Sequence, residues 1–295
     1  MTGRKPHFDV FAPAKINLYL HVGAPRADGY HPVDSLVAFA SIGDRIRVKP
    51  SQGLRLTITG LFGGPLAADG DNLVLRAARA LRTACGAEAD WGAHLVLEKN
   101  LPLASGVGGG STDAAATLRA LSVLWNVRDA ALLDSIARDL GSDVPACLAA
   151  QAVLMRGAGE QVTSAFAPTL GVLLANDGTP VPTPGVFRRF DEMQLGTDFA
   201  ETAPPEAAAP AKFIEAVAAR RNDLEPAAFD LHPSIAALKD DIAQLPDCRL
   251  ARMSGSGGTV FGLFDDLAAA QAAREILEEN RPGLWAEAGT LNPAL

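Results

Sequence analysis

Residues 102–126 read PLASGVGGGSTDAAATLRALSVLWN, and the reading of this stretch decides how the rest of the chain is organised. Gly106, Gly108, Gly109 and Gly110 strip side chains from a loop, after which Ala114, Leu118, Leu121 and Trp125 recur at helical spacing. A bare loop that ends at a helix N-terminus lets backbone N–H groups close on an anion, and the helix dipole adds to the attraction. Ser111 and Thr112 add hydroxyl oxygens of the kind that a nucleotide's Mg²⁺ accepts. Neither of two common phosphate-loop patterns is met. No Gly-Lys-Ser/Thr occurs, and a G-x-G-x-x-G begun at Gly106 or Gly108 ends on Ser111 or Asp113. The plainer alternative is a flexible loop whose Ser111 or Asp113 caps the helix. Four glycines exceed what a turn requires, which favours the anion-binding reading.

On the N-terminal side, residues 8–22 (FDVFAPAKINLYLHV) alternate as a strand interrupted near its start by Pro13. The alternation places Ala14, Ile16, Leu18 and Leu20 on one face and Lys15, Asn17 and Tyr19 on the other. A turn over 24–30 precedes strands predicted at 35–40, 44–48 and 54–59. A helix over 72–85 has Leu73, Ala77, Ala80 and Leu81 on one stripe and Asn72 as its cap. Residues 94–98 form a short strand leading to the glycine loop. Beyond the loop, residues 129–140 read as a helix closed by Gly141, and Ser142–Pro145 as the start of another. Further on come a strand at 171–175, a Pro-rich loop over 178–187 and a low-complexity exposed loop at 200–211. A helical region at 233–245, the glycine cluster RMSGSGGTVFGLF and a final helix over 267–279 complete the chain. Helices and strands intermix without a regular βα alternation, so the expected class is α+β. The expected domains are 1–160 and 161–295.

A chain of 295 residues suggests about two domains at roughly 150 residues each. Its 26 Lys and Arg stand against 34 Asp and Glu, a net charge of −8, which argues against non-specific nucleic-acid binding. Hydrophobic residues at 48% and charged residues at 20% mark a globular rather than a disordered chain. Cys85, Cys147 and Cys248 are an odd number with no C-x-x-C, which argues against a disulfide framework or zinc ribbon. No run approaches the roughly 18 apolar residues of a membrane span, and MTGRKPHFDVFAPAK has no apolar signal-peptide core. The expectation is a cytoplasmic protein without membrane or nucleic-acid partners.

Three further features invite a chemical reading, each beside a plainer one. RMSGSGGT over 252–259 suits a phosphate contact or a tight turn between strands. Lys15 and Asn17 suit a ligand or a solvated sheet face. Asp143 suits a general base or a helix N-cap ahead of Pro145.

Taken in order, PAKINLYL (13–20), PLASGVGGGSTDAAA (102–116) and MSGSGGTVFGLF (253–264) resemble the three motifs of the GHMP small-molecule kinases. RADGYHPVDSL, LGSDVPACL, VPTPGVF and NDLEPAAF extend the resemblance over nearly the whole chain. Within the family they point to members whose substrate is a cytidine diphosphate-linked sugar alcohol. The resemblance implies an α+β, two-domain architecture, with an N-terminal domain like ribosomal protein S5 domain 2 and a ferredoxin-like C-terminal domain. It implies ATP as co-substrate, Mg²⁺ as cofactor with its protein ligands unassigned, and a monomer or weak homodimer. It gives Asp143 as the catalytic base and Lys15 as the lysine that orients it. Asn17 would contact the substrate near its phosphates. Tyr30 and Phe187 would sandwich the cytosine while His31 bonds its edge. Pro102, Leu103, Ala104, Ser105, Gly106, Val107, Gly108, Gly109, Gly110, Ser111 and Thr112 would cradle the ATP phosphates, with Asn72 and Lys99 near the adenosine. Ser105, Thr112 and Gly258 depart from the residues usual in these motifs without removing a backbone donor. Two other readings stay open: a homoserine or mevalonate-type kinase of the same family, and a non-catalytic nucleotide-binding regulator on the same scaffold.

Overall fold

The computed structural model describes residues 7–68, 71–87, 91–198, 201, 203–205 and 209–292. The chain forms two compact units, neither a single stretch of sequence. Unit 1 comprises Met1–Ala14, Gly43–Leu101 and Gly108–Ala149; unit 2 comprises Lys15–Ile42, Pro102–Val107 and Ala150–Leu295. Two long strands, β1 (Phe8–Val22) and β2 (Val33–Pro50), contribute residues to both.

In unit 1, β4 (Ala93–Glu98) pairs antiparallel with the second half of β2, matching Ile46 with Leu97 and Val48 with Leu95. On its other side β4 runs parallel to β3 (Leu54–Thr59). The pairing follows from alternation: Ile46, Val48, Leu95 and Leu97 are buried while Arg45, Arg47 and Lys49 face water. Four helices accompany this sheet: α1 (Leu73–Ala84), α2 (Gly109–Leu124), α3 (Ala130–Leu140) and α4 (Val144–Ala149). Asn72 caps α1 by accepting from the Val74 N–H at 3.0 Å, and Asp129 caps α3 from the Leu132 N–H at 3.0 Å. The buried stripe of α1 is Val74, Leu75, Ala77, Ala78 and Leu81; of the expected stripe Ala77 and Leu81 are buried, while Leu73 and Ala80 are half-buried. α2 is buried over most of its circumference, which its run of alanines allows. Arg119 on α2 donates to the Cys147 carbonyl of α4 at 2.8 Å and to the Phe11 carbonyl at 3.0 Å, fixing α4 against α2.

In unit 2, the first half of β2 pairs antiparallel with β5 (Val153–Gly157), which pairs with β6 (Gln161–Ser164). The remaining strands follow β2 in the order β10 (Trp285–Leu291), β7 (Leu170–Asn176), β9 (Thr259–Phe264) and β8 (Leu250–Met253). The accompanying helices are α5 (Thr183–Glu192), α6 (Pro210–Ala218), α7 (Glu225–Leu231), α8 (Pro233–Ala243) and α9 (Leu267–Asn280). Leu173, Phe190, Leu238, Val260, Phe264 and Leu277 meet in one core, which also takes Leu20 and Val22 from β1.

Several expectations change. The two strands predicted at 35–40 and 44–48 are one, because Gly43 continues the strand where any Cβ would lie 2.3 Å from the Ala12 carbonyl. The 178–187 segment is loop only up to Pro182; Pro184 stands in the first turn of α5, where a proline favours a helix start. The 200–211 segment ends inside α6, and its residues 200, 202 and 206–208 lie outside the described residues. Strands β5, β6 and β10 are not among the expected elements. The β1 face carrying Lys15, Asn17 and Tyr19 is not solvated: all three are buried, like the apolar face opposite.

Candidate active site

Unit 2 gathers three of the motif segments. The Lys15 N–H donates to the Val107 carbonyl at 2.9 Å, which joins β1 to the glycine loop. Ser254 joins both to the third motif: its hydroxyl accepts from the Asn17 N–H at 3.2 Å and donates to the Gly106 carbonyl at 3.0 Å. The Thr259 N–H donates to the Ser105 carbonyl at 2.9 Å and the Val181 N–H to the Ala104 carbonyl at 3.2 Å. The approach is close enough to require glycine. Gly106 sits at φ +75°, and a Cβ there would lie 2.3 Å from the Ser254 carbonyl oxygen. RMSGSGGT is therefore more than a hairpin turn; it is the seat of the 102–107 loop.

Lys15 and Asn17 are each 4% exposed. Asn17 Nδ2 donates to Ser35 Oγ at 2.8 Å, and the Ser35 hydroxyl donates to the Tyr19 carbonyl at 2.6 Å. Asn17 Oδ1 is buried and accepts no hydrogen bond among the described residues. A buried acceptor without a partner costs about 1–3 kcal/mol, so it fits a donor brought by a ligand.

Tyr30, His31 and Phe187 also belong to unit 2. Asp28 shapes the turn by accepting from the Tyr30 N–H at 3.0 Å and holding Arg26 at 2.7 Å, which leaves the Tyr30 ring 62% exposed. His31 is buried, with Nδ1 3.0 Å from the Gly23 carbonyl. A carbonyl only accepts, so Nδ1 carries the hydrogen and Nε2 is the nitrogen turned toward other partners. Asp191 Oδ2 lies 3.5 Å from Nε2. The His31 ring is 5.0 Å from the Phe187 ring at a 43° tilt and meets Phe190 edge-on. His31 and Phe187 thus stand together as a built wall, with Phe187 presented from helix α5 rather than from the predicted loop.

Unit 1 holds Gly108–Thr112, Asn72, Lys99 and Asp143. Gly108 is the N-cap of α2, in the left-handed region at φ +65°, and contributes no side-chain cap. Neither Ser111 nor Asp113 caps the helix, so the first-turn amides are left without a side-chain acceptor, as an anion site requires. Asp143 precedes α4, and its carbonyl accepts from the Cys147 N–H at 3.1 Å. Asn72 is occupied in capping α1 and in donating to the Ala67 carbonyl at 3.1 Å. Two partners of the Lys99 ammonium lie within unit 1: Nζ is 2.5 Å from Asp44 Oδ2 and 2.8 Å from Asp113 Oδ2. Lys15 and Asp143 fall in different units.

Sequence reasoning left Asp44, Ser254 and Asp191 without roles and offered Asp113 only as a helix cap. Only Ser254 and Asp113 stood inside a motif. Asp44, 55 residues before Lys99, shows itself only as a carboxylate in the middle of an apolar strand.

Among the described residues no group of three or more His, Cys, Asp or Glu could hold a metal ion. Mg²⁺ bound with ATP takes most of its ligands from phosphates and water, so an all-protein cage is not what such a site needs. No helix among the described residues is long and apolar enough to cross a membrane.

The two glycine-rich segments seated on β1 in unit 2, and the α2 start without a side-chain cap in unit 1, agree with the GHMP small-molecule kinase class that the motifs resemble. Residues 72–151 match the family model for the GHMP kinases N terminal domain, and residues 208–282 that for the GHMP kinases C terminal. The 4-diphosphocytidyl-2-C-methyl-D-erythritol kinase of Cereibacter sphaeroides is 49% identical over 285 residues, covering 94% of this chain and 96% of its own. A crystal structure of 4-(cytidine 5'-diphospho)-2C-methyl-D-erythritol kinase superposes with a TM-score of 0.81 at 36% identity, over 97% of this chain and 100% of its own. A homoserine kinase from Cytophaga hutchinsonii superposes at 0.68 with 19% identity, over 98% and 96% of the two chains, and shares the fold alone. The chain belongs to the 4-diphosphocytidyl-2-C-methyl-D-erythritol kinase family of the GHMP kinases.

Proposed function

We propose that this kinase transfers the γ-phosphoryl group of ATP to the 2-hydroxyl of 4-diphosphocytidyl-2-C-methyl-D-erythritol, in the non-mevalonate (MEP) pathway of isoprenoid precursor biosynthesis. The observation that carries the reading is identity of 49% over 94% of the chain to a kinase named for that substrate. In the reaction the hydroxyl oxygen attacks the γ-phosphorus, its proton passes to a base, and the bond to the bridging oxygen of ADP breaks. A tertiary alcohol is a poor nucleophile until that proton is taken, which a positioned carboxylate does. Asp143 is assigned as that base, and Lys15 as the lysine that orients it and helps activate the hydroxyl.

The remaining roles are those that the family motifs imply for these residues. Residues 102–112 hold the triphosphate through backbone amides, with Asn72 and Lys99 near the adenosine. Mg²⁺ supplies charge neutralisation at the phosphates when it is bound, and the Ser111 hydroxyl is a protein oxygen this chain offers it. Asn17 Oδ1 accepts from the substrate, His31 Nε2 meets the edge of the cytosine, and Tyr30 and Phe187 stack on its faces. We assign the two family domains along the sequence to 1–160 (ATP-binding) and 161–295 (C-terminal), a division that the two compact units cross, and the working state to a cytoplasmic monomer or weak homodimer.

The test is a coupled ADP-release assay over candidate alcohols, with and without the cytidylyl group. Turnover should require the cytidylyl group. Comparable kcat/KM on homoserine or a mevalonate derivative would overturn the assignment.

A further inference from the structure

The carboxylate of Asp44 has three hydrogen-bond donors. Its Oδ1 accepts from the Asn100 N–H at 2.5 Å and from the Leu101 N–H at 2.8 Å, and its Oδ2 accepts from Lys99 Nζ at 2.5 Å. Asn100 and Leu101 are the residues immediately before the glycine loop. The same Lys99 ammonium donates to Asp113 Oδ2 at 2.8 Å, and Asp113 lies on α2 immediately after the loop. Asp44, Lys99 and Asp113 are 0%, 2% and 3% exposed, so water does not weaken these bonds.

The Lys99 ammonium also bears on the helix start. A Cβ at Gly109 would lie 2.7 Å from Nζ, so α2 begins in contact with this cation. The main chain of Lys99 is held too: its N–H donates to the Thr59 carbonyl at 2.8 Å and its carbonyl accepts from the Phe62 N–H at 2.9 Å. Burial works against the charge of Lys99, but Asp113 and Asp44 more than offset it and hold the ammonium above its ordinary value. Burying one cation against two carboxylates is a weak device for stability, and its better-attested use is to specify an arrangement.

We propose that Asp44 is a positioning residue for ATP: it fixes the entry of the phosphate loop directly, through two amides, and its exit through Lys99 and Asp113. The span of residues 102–108 is then set before the nucleotide arrives. This matters because phosphoryl transfer depends on placement, and a displacement of about 1 Å can cost roughly a hundredfold in rate. Asp44 touches neither substrate; it acts through the backbone donors it holds in place.

The inference rests on residues 102–112 being the ATP phosphate loop, and the experiment separates the two. Asp44→Asn should raise the KM for ATP at least tenfold while the KM for the alcohol substrate stays within twofold. A merely structural residue would lower the yield of folded enzyme and move neither KM, so an ATP KM within twofold of the wild type overturns the proposal. If Asp44→Asn does not fold, Asp113→Asn carries the same expectation from the other end of the loop, and an unmoved ATP KM there overturns it equally. Gly110→Val serves as the control, since it places a branched side chain in the first turn of α2. An ATP KM unmoved in Gly110→Val removes the loop reading and the proposal with it. An ATP KM raised in Gly110→Val but not in Asp44→Asn removes the proposal alone.

Discussion

At the scale of single residues, Asp143 and the aromatic side chains of unit 2 carry separable parts of the reaction. Asp143→Asn keeps the shape of the side chain and removes its basicity. It should lower kcat by roughly 10²–10⁴, the range of a general base, while ATP affinity, measured by nucleotide titration, stays near wild type. Near wild-type turnover in that variant would mean that another group takes the proton. Tyr30 is largely exposed and packs little in the free protein, so Tyr30→Ala should leave stability unchanged. Its loss should appear instead in the KM for the cytidylyl substrate, raised roughly tenfold to a hundredfold for a stack worth about 1–3 kcal/mol. Initial-rate kinetics with fixed ATP measure both. Lys99 shows how far sequence reaches at this scale. Its position before the glycine loop was legible, but its partner Asp44 is 55 residues away, and nothing local in either segment announces the pairing.

Individual elements show where local signals suffice and where they fail. The caps at Asn72 and Asp129, the helix spacing of α1 and α3, and the alternation of β3 and β4 are local properties, and each element stands where its residues place it. β10, with its alanines, glycine and glutamate, has little strand propensity of its own and is made a strand by β7 and β2 on either side. α5 reads as a loop only while its prolines are taken as breakers, so Phe187 could not be placed on a helix from sequence. The end of β1 depends on Asp223, whose Oδ2 accepts from the Val22 N–H at 2.9 Å and lies 3.6 Å from His21 Nδ1. Burial opposes the ionisation of Asp223, but hydrogen bonds from His21 and Val22 and the neighbouring Arg221 hold its carboxyl below the ordinary 3.8. A carboxyl depressed on folding contributes stability above its unfolded value and loses it as pH falls through the folded one. Asp223→Asn should therefore be less stable than wild type at pH 7, and the difference should shrink in strong acid. Urea unfolding at the two pH values measures it, and a difference that persists in acid would rule this origin out.

The whole chain passes between its two units at 14/15, 42/43, 101/102, 107/108 and 149/150. A cut at 160/161 therefore separates segments that share a core: Leu20 and Val22 pack with Leu173, Phe190 and Leu238. Separately expressed fragments 1–160 and 161–295 should each lack the cooperative unfolding transition of the full chain, and mixing them should restore it. A fragment 161–295 that unfolds cooperatively by itself would show that its core does not need β1. The position of β10 in the sheet of unit 2 has a consequence for synthesis on the ribosome. It pairs with β7 along its length and meets β2 at the Leu291–Ala40 pair, yet it is made after every other strand described. While residues 43–284 are being translated, the edge of β2 that β10 will meet waits without its partner. Unit 1 has all its segments once residue 149 has emerged from the exit tunnel, whereas the sheet of unit 2 waits until 285–291 have followed. The nascent chain thus carries an open strand edge for most of its synthesis, and chaperone occupancy should track that interval.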